Sequence, residues 1–337
     1  MPTTRVAVVG AGSWGTAVAA LVAPKTSTVL WARRESLAEE ISHKHRNTDY
    51  LPDAELPDAL AATSDLEEAL ADADVIVMGV PSHGFRSILE EARGFIRAGV
   101  PVISLAKGIE QDTLKRMTEV VAEVLDGANP AGVLTGPNLA KEVLSGYPAA
   151  SVVAMADDGV CTNLQSLFST DTFRVYTNPD VIGCEVGGRS KNVMAIAAGI
   201  ADGLGFGDNT KAALMTRGLA ELTRLGVALG GDPLTFSGLA GMGDLVATCM
   251  SPQSRNRYVG EQLGRGRAIG DIITEMKMVA EGVKTSAALC KLAASVGVEM
   301  PIAEQVAAVV HEGKHAADII PALMRREAKA ELHGITR

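Results

Sequence analysis

A lysine stands at the start of a helix that the sequence predicts to be buried on every side. The residues from Val193 to Ala201 are small and apolar, which is the pattern of a helix enclosed by other helices. Lys191 and Asn192 open that run. An ammonium group held near apolar packing has a lowered pKa and can exchange a proton near neutral pH, which is acid/base chemistry. The simpler alternative is a lysine whose stem covers apolar surface while its charge stays in water.

A second group of polar residues interrupts the apolar helical half of the chain between Gly238 and Gly260. Asp244 and Thr248 are four residues apart, so on a helix they share one face. Arg255 and Asn256 follow a Ser/Pro turn, and a guanidinium group matches the oxygens of a phosphate geometrically. This pattern is compatible with an anion-binding site, and also with an ordinary helix cap followed by a solvated basic turn.

The first apolar run of the chain leads into a glycine motif. Gly10, Gly12 and Gly15 form G-x-G-x-x-G between a predicted strand and a predicted helix. In that context the first glycine allows a tight turn, the second lets a pyrophosphate approach the backbone, and the third packs the helix on the strand. The amides at the helix N-terminus then bind the pyrophosphate. The motif predicts a dinucleotide cofactor, and a purely structural turn is the alternative.

Two arginines follow the second predicted strand, where an NAD-selective site carries an acid. That acid stands about 20 residues after the glycines and binds the ribose 2′-hydroxyl. This chain has Arg33 and Arg34 at that place, and its first acid, Glu35, lies beyond the expected strand end. We therefore expect NADPH to be accepted at least as well as NADH, with Arg33 as the main contact. The alternative is that both arginines begin a helix in solvent.

These residues need a scaffold, and strands alternate with helices in the first half of the chain. The pattern predicts an α/β N-terminal Rossmann-type parallel sheet domain over residues 1–180, followed by an all-α C-terminal domain over residues 181–337 that binds substrate and carries the catalytic residues. Ligands of such sheets bind at the carboxyl ends of the strands. Pro81, Lys107 and Gly136 stand at those ends.

Composition and charge exclude several classes of function. The chain has 337 residues, of which 47% are hydrophobic and 21% charged, and its net charge of −9 argues against a nucleic-acid partner or an anionic membrane surface. Its four cysteines lie far apart, without the spacing of a metal site or a disulfide framework. No stretch reaches the roughly 18 apolar residues that a membrane-spanning helix needs. We expect a cytoplasmic protein without membrane insertion and without a bound metal.

Eight segments together resemble one enzyme family, in order and over nearly the whole chain. They are GAGSWGTA (10–17), HRNTDYLP (45–52), AKGIE (106–110), GPNLAKE (136–142), KNVMAIAAGIADGLGFGDNTKAAL (191–214), GMGDLVATC (241–249), SRNRYVG (254–260) and AEGVKT (280–285). The family is the NAD(P)-dependent glycerol-3-phosphate dehydrogenases of the bacterial soluble type. The resemblance implies interconversion of dihydroxyacetone phosphate and sn-glycerol 3-phosphate with NADH or NADPH, a supply of the glycerol backbone of phospholipids, and a homodimer.

The resemblance also implies roles for single residues. Lys191 becomes the catalytic acid/base, Asp244 orients its ammonium group, and Lys107 holds the substrate or polarises its carbonyl. The implied substrate contacts are Lys107, Gly136, Asn192, Asp244, Thr248, Ser254, Arg255 and Asn256. The implied cofactor contacts are Gly10, Gly12, Ser13, Trp14, Gly15, Arg33, Arg34, Pro81, Lys107, Ala140, Arg255 and Glu281.

The chain departs from the family pattern directly before the lysine. The family usually carries Gly-Ala-Leu-Lys there, whereas this chain has Arg189 and Ser190 between Gly188 and Lys191. A charged and a polar residue thus replace two apolar ones, which bears on the packing and the pKa of the lysine.

Two other functions share the same plan. A β-hydroxyacid dehydrogenase or a ketopantoate reductase also combines a Rossmann domain, a helical domain and a lysine, but does not need SRNRYVG together with GMGDLVATC. A non-catalytic dinucleotide sensor does not need Lys107, Lys191 and Asp244 together.

Overall fold

The computed structural model describes residues 4–276, 280–331 and 333–334, and the chain divides into two compact units. We call Met1–Ala106 with Lys115–Val181 the sheet unit, and Lys107–Leu114 with Ile182–Arg337 the helical unit. The sequence predicts two continuous ranges, so the assignment of residues 107–114 differs from that expectation. The physical reason is that Ile109, 2% exposed, packs into the apolar core of the helical unit.

The sheet unit is built on an eight-stranded sheet in the part of the chain that the structure describes. Its strands are β1 (Arg5–Val9), β2 (Ser27–Trp31), β3 (Ala61–Thr63), β4 (Val75–Met78), β5 (Val102–Ser104), β6 (Ala131–Thr135), β7 (Ala149–Ala154) and β8 (Phe173–Asn178). They lie in the order β3-β2-β1-β4-β5-β6-β7-β8. Neighbouring strands pair in parallel except β6 and β7, which are antiparallel. The predicted Rossmann-type fold is confirmed, with this one reversal of strand direction.

Helices cover both faces of the sheet. They are α1 (Ser13–Val22), α2 (Glu35–Lys44), α3 (Leu66–Leu70), α4 (Ser82–Ala92), α5 (Met117–Val124), α6 (Ala140–Leu144) and α7 (Asp158–Phe168). Along β1, Val6 and Val8 belong to the apolar core on one face, and Ala7 and Val9 to the core on the other. A strand covered on both faces is apolar along its whole length, which explains the continuous apolar runs in the sequence.

The strand order changes direction at β1. The chain moves from β1 to β2 in one direction along the sheet and then crosses to β4 on the other side of β1. Ligands of open α/β sheets bind at the carboxyl ends of the strands where the order reverses in this way. Gly10 follows β1 at that point.

The helical unit confirms the predicted all-α second half. Its helices are α8 (Val181–Gly203), α9 (Asp208–Ala228), α10 (Asp244–Met250), α11 (Arg255–Gly264), α12 (Ile269–Glu275), α13 (Glu281–Ser295), α14 (Pro301–His311) and α15 (Ile319–Met324). The central helix α8 is buried along most of its length, and the buried part includes the predicted run from Val193 to Ala201. A Cβ at Gly260 would lie 2.0 Å from the carbonyl oxygen of Ile196, so α11 packs on α8 with the two backbones almost in contact.

Among the described residues, none of these helices is both long enough and apolar enough to cross a bilayer.

Candidate active site

The helical unit contains a buried carboxylate that is shared by two lysines. The Nζ of Lys191 donates hydrogen bonds to the carboxylate of Asp244 and to the Oγ1 of Thr248, the latter at 2.6 Å. The Nζ of Lys107 donates to the other carboxylate oxygen of Asp244 at 2.7 Å. Asp244 is 1% exposed and Lys191 is 6% exposed, so little water screens these charges. Two lysine side chains thus contact one carboxylate. We call Lys107, Lys191, Asp244 and Thr248 the lysine centre.

The local fold of the chain aims Asp244 at Lys191. Asp244 begins α10 directly after a π-helical turn, Leu239–Gly243, a local structure often found at functional sites. Gly187 lets α8 lie against that turn, because a Cβ there would be 2.4 Å from the carbonyl oxygen of Ala240. Gly187 and Lys191 are four residues apart on α8 and therefore lie on the same face of that helix. Because this face packs against the turn before α10, Lys191 lies next to Asp244 at the start of α10.

Burial and neighbouring charges tune the acidity of Lys191. Burial lowers the pKa of Lys191 most, the negative charge of Asp244 raises it, and the positive charge of Lys107 lowers it, so that the pKa falls from 10.5 to about 8 in total. A lysine with this pKa exists in both protonation states near neutral pH and can give or take a proton there. The neighbouring thiol of Cys249 stays protonated, since burial raises its pKa to about 12.

The departure from the family pattern leaves this centre in place. Arg189 and Ser190 are buried within α8, at 1% and 0% exposure. Lys191 nevertheless contacts Asp244 and Thr248. Asp244 and Lys107 are the charged residues that act on the pKa of Lys191, and burial is the largest cause of its shift.

Two asparagines connect the lysine centre to α11 and α13. The Nδ2 of Asn192 donates to the carbonyl oxygen of Lys107 at 3.4 Å, and the Nδ2 of Asn256 donates to the Oδ1 of Asn192 at 3.0 Å. The amide of Gly282 donates to the Oδ1 of Asn256 at 2.9 Å. These bonds set the orientation of both asparagine side chains, which sequence spacing alone does not define.

Glu281 begins α13 beside this network. Burial raises the pKa of Glu281, while the charges of Arg255, Lys107 and Lys191 act in the opposite direction. Glu281 therefore lies within the electrostatic field of the predicted substrate and acid/base residues.

The start of α11 has the features of an anion site. Ser254 caps the helix, its Oγ accepting a hydrogen bond from the amide of Arg257 at 3.2 Å. Arg255 is exposed at the first helical position, whereas the Nε of Arg257 donates to Asp202 at 2.8 Å and so serves helix packing. An arginine at a helix N-terminus, where the backbone amides point outward, can bind a phosphate.

The glycine turn of the sheet unit fits a pyrophosphate. Gly10 has a φ of +116°, and a Cβ at Gly15 would lie 2.0 Å from the carbonyl oxygen of Gly10. A Cβ at Gly12, in contrast, would meet nothing within 4 Å. Gly12 is the N-cap of α1 and offers no side chain to cap the helix. The turn is therefore tightly packed at Gly10 and Gly15 and open at Gly12. On the open side, the first amides of α1 can donate hydrogen bonds to phosphate oxygens.

The other predicted site residues of the sheet unit, Gly136 as a substrate contact and the rest as cofactor contacts, lie after strand ends or at helix starts. The Oγ of Ser13 donates to the carbonyl oxygen of Tyr50 at 3.3 Å, and the ring of Trp14 packs on Phe173 with centroids 6.1 Å apart. Pro81 is the N-cap of α4, Gly136 follows β6 with a φ of +135°, and Ala140 begins α6.

A carboxylate that the sequence did not single out lies at the predicted ribose position. Arg33 and Arg34 are exposed after β2, and Arg34 forms an ion pair with Asp49. Within the described residues, Arg33 makes no ion pair. Asp49 belongs to the segment HRNTDYLP, 15 positions from Arg34, so only the tertiary structure reveals their contact.

Most of the predicted site residues thus form two groups, and Ser254, Arg255 and Glu281 lie at the starts of α11 and α13 in the helical unit. One hydrogen-bonded network of the helical unit joins Lys107, Lys191, Asn192, Asp244, Thr248 and Asn256. The glycine turn and its neighbours form the other group, in the sheet unit. In the ranges that the structure describes, no three His, Cys, Asp or Glu side chains are grouped to hold a metal ion.

Comparison with known proteins matches both halves of the chain to one family. The model of the NAD-dependent glycerol-3-phosphate dehydrogenase N-terminus matches residues 5–161, and that of the C-terminus matches residues 180–321. A glycerol-3-phosphate dehydrogenase [NAD(P)+] of Sphingopyxis alaskensis is 56% identical over 98% of both chains. One of Mycobacterium avium is 50% identical over 98% of this chain and 97% of its own. The crystal structure of the Coxiella burnetii glycerol-3-phosphate dehydrogenase superimposes with a TM-score of 0.92 at 37% identity, covering 96% of this chain and 99% of that one.

Proposed function

The chain belongs to the NAD-dependent glycerol-3-phosphate dehydrogenase family, and we propose that it reduces dihydroxyacetone phosphate reversibly to sn-glycerol 3-phosphate with NADH or NADPH. The observation that carries the proposal is the buried contact of Lys191 with Asp244 and Thr248. Reduction of a ketone needs a proton for the carbonyl oxygen, and this ammonium group is positioned and tuned to supply one.

The residues of the lysine centre have different roles in the reduction. The nicotinamide cofactor supplies the hydride when it is bound. Lys191 gives its proton to the oxygen of the substrate carbonyl, and in the reverse direction neutral Lys191 takes the proton of the alcohol. Asp244 favours the charged form of Lys191 and directs its Nζ together with Thr248. The ammonium group of Lys107 stabilises negative charge that develops on the oxygen.

The phosphate group and the cofactor are assigned to separate residues. Arg255 and Asn256 at the start of α11 bind the substrate phosphate, with Ser254 holding the helix start in place. Gly10, Gly12 and Gly15 form the turn for the cofactor pyrophosphate, with Ser13 and Trp14 beginning the helix behind it. Gly136 as a substrate contact, and Pro81, Ala140 and Glu281 as cofactor contacts, remain predictions.

Three further parts of the proposal concern the setting of the enzyme. Its product is the backbone of glycerophospholipids, so we place the reaction at the start of their synthesis. A cytoplasmic location is supported by the four cysteines, which are all free thiols. A homodimer is supported by the family resemblance, and the net charge of −9 supports the absence of a nucleic-acid partner.

One spectrophotometric assay tests this function. Oxidation of NADPH or NADH is followed with dihydroxyacetone phosphate, and separately with ketopantoate and with a β-keto acid. We expect turnover with dihydroxyacetone phosphate alone. Turnover with one of the other substrates instead would assign the chain to another chemistry, and coenzyme binding without turnover would favour a sensor.

A further inference from the structure

The ion pair of Arg34 with Asp49 places one positive and one negative charge at the end of β2. Both side chains are about half exposed, at 54% and 49%, so a ligand can reach them. The hydrogen bond that the guanidinium group of Arg34 donates to the carboxylate of Asp49 raises the pKa of Arg34 above its ordinary value, which reflects direct contact between the two groups. Exposed ion pairs contribute little to the free energy of unfolding, so stability alone does not account for this pair.

The segment that carries Asp49 is fastened to the glycine turn. The Nδ2 of Asn47, which is 0% exposed, donates to the carbonyl oxygen of Ala11 at 2.9 Å and to the Oγ1 of Thr16 at 2.8 Å. On the other side of Asp49, the carbonyl oxygen of Tyr50 accepts a hydrogen bond from Ser13. Asp49 therefore lies between two residues that are each bonded to the start of α1.

The end of β2 is bonded to the same turn. The amide of Gly10 donates to the carbonyl oxygen of Trp31 at 3.0 Å, and Trp31 is the last residue of β2. In a Rossmann fold this strand end meets the adenosine ribose, where a carboxylate accepts from the 2′-hydroxyl of NADH and an arginine binds the 2′-phosphate of NADPH. Here two segments bring both kinds of group to that place.

We propose that Asp49 is a coenzyme-specificity residue, which holds Arg34 and accepts hydrogen bonds from the ribose hydroxyls of NADH but competes with the 2′-phosphate of NADPH for Arg34. This rests on the dinucleotide site of the proposed function. A 2′-phosphate adds about two negative charges near neutral pH. Arg33 and Arg34 attract it, whereas Asp49 repels it and occupies Arg34. The balance lets one site accept both coenzymes.

Binding of coenzyme fragments tests the proposal without turnover. Calorimetry compares adenosine 2′,5′-bisphosphate with 5′-AMP, which lacks the 2′-phosphate. In Asp49→Asn the affinity ratio of the bisphosphate to AMP should rise about three- to tenfold, because Arg34 is released and one repelling charge is removed. The ratio of kcat/KM for NADPH to that for NADH should rise by a similar factor. An unchanged or lowered fragment ratio would overturn the proposal.

A second variant and a matched control separate this effect from general changes of charge. In an Arg34→Ala background, Asp49→Asn should raise the ratio by a smaller factor, since the guanidinium group for which Asp49 competes is gone. Glu55→Gln is the control, because Glu55 is an exposed carboxylate nearby in sequence that pairs with Arg46 at 3.3 Å. Glu55→Gln should leave the affinity ratio of the bisphosphate to AMP unchanged. A rise equal to that of Asp49→Asn would show that the effect comes from net charge alone and would overturn the proposal.

The two proposals fail in different ways. If the wild-type protein did not reduce dihydroxyacetone phosphate but Asp49→Asn still shifted the fragment ratio, the function would be wrong and the role of Asp49 would stand. If the wild-type protein reduced dihydroxyacetone phosphate but the fragment ratio did not shift, the function would stand and the role of Asp49 would be wrong.

Discussion

Replacing Asp244 with asparagine should move the acidity of Lys191 and with it the pH dependence of the reaction. Asp244 is 1% exposed and accepts hydrogen bonds from both Lys191 and Lys107. Two unit charges about 4 Å apart attract each other by about 4 kcal/mol at an effective dielectric constant of about 20, which corresponds to roughly three pK units. Because Lys107 shares the carboxylate, we expect the pKa of Lys191 to fall from about 8 by about one to three units.

The consequence is measured as kcat/KM for dihydroxyacetone phosphate across pH. Reduction needs protonated Lys191, so wild-type activity should fall as pH rises through about 8. In Asp244→Asn the fall should begin at least about one unit lower, and activity near neutral pH should drop about 10²-fold through lost protonation and lost orientation. A profile that still falls near the wild-type pH would refute the role of Asp244.

Folding must be controlled in this experiment. The variant leaves two ammonium groups without their carboxylate, and an uncompensated buried charge costs about 3–5 kcal/mol of stability. Circular dichroism and Tm should show that the variant is folded at the assay temperature. Asp244→Glu is the matched comparison, since it keeps the charge while displacing it by one methylene. It should retain the wild-type pH dependence at a reduced rate.

Three further predictions follow from single residues. Arg255→Ala should lower kcat/KM for dihydroxyacetone phosphate about ten- to hundredfold and spare unphosphorylated dihydroxyacetone; equal losses on both substrates would exclude phosphate recognition by Arg255. Gly12→Ala should keep the wild-type Tm, since its Cβ meets nothing within 4 Å, but should weaken coenzyme binding about tenfold or more; unchanged affinity would contradict the pyrophosphate assignment. Glu221 is 2% exposed, and burial raises its pKa from 4.5 to about 7. Between these pH values the folded protein keeps a proton on Glu221 that the unfolded chain has lost. The free energy of unfolding therefore falls as pH rises across that interval. Glu221→Gln should therefore gain up to about 3 kcal/mol relative to wild type between those pH values, and parallel curves of Tm against pH would show the raised pKa to be wrong.

Local spacing predicted the parts of the candidate site that single elements build. The glycine turn follows from one strand, one motif and one helix, and Asp244 and Thr248 share a face because they are four residues apart on α10. The burial of Val193 to Ala201 in α8 follows from the apolar composition of that run on all sides. Each of these features depends on residues within about two helical turns of one another, so the sequence pattern contains the necessary information.

Contacts between distant segments were beyond such reasoning. Lys107 and Asp244 are 137 positions apart, and only the family resemblance placed both in one site. Asp49 contacts Arg34 because hydrogen bonds of Asn47 and Ser13 hold the segment of Asp49 against the glycine turn. The spacing of residues in the sequence does not predict those hydrogen bonds. The antiparallel pairing of β7 was missed because a buried strand is equally apolar in either direction. The π-helical turn before Asp244 packs closely against Gly187, which lies on another helix, and such a contact between helices cannot be read from local spacing.

Single-turnover reduction of dihydroxyacetone phosphate by Lys191→Ala tests the central claim most directly, with coenzyme binding measured in parallel. The lysine centre predicts a rate lowered about 10²–10⁴-fold, with coenzyme affinity retained because the glycine turn is untouched. Lys291→Ala, which removes an exposed lysine of α13, is the control and should keep the wild-type rate. A Lys191→Ala protein that keeps more than about a tenth of the wild-type rate would contradict the assignment of Lys191 as the proton donor.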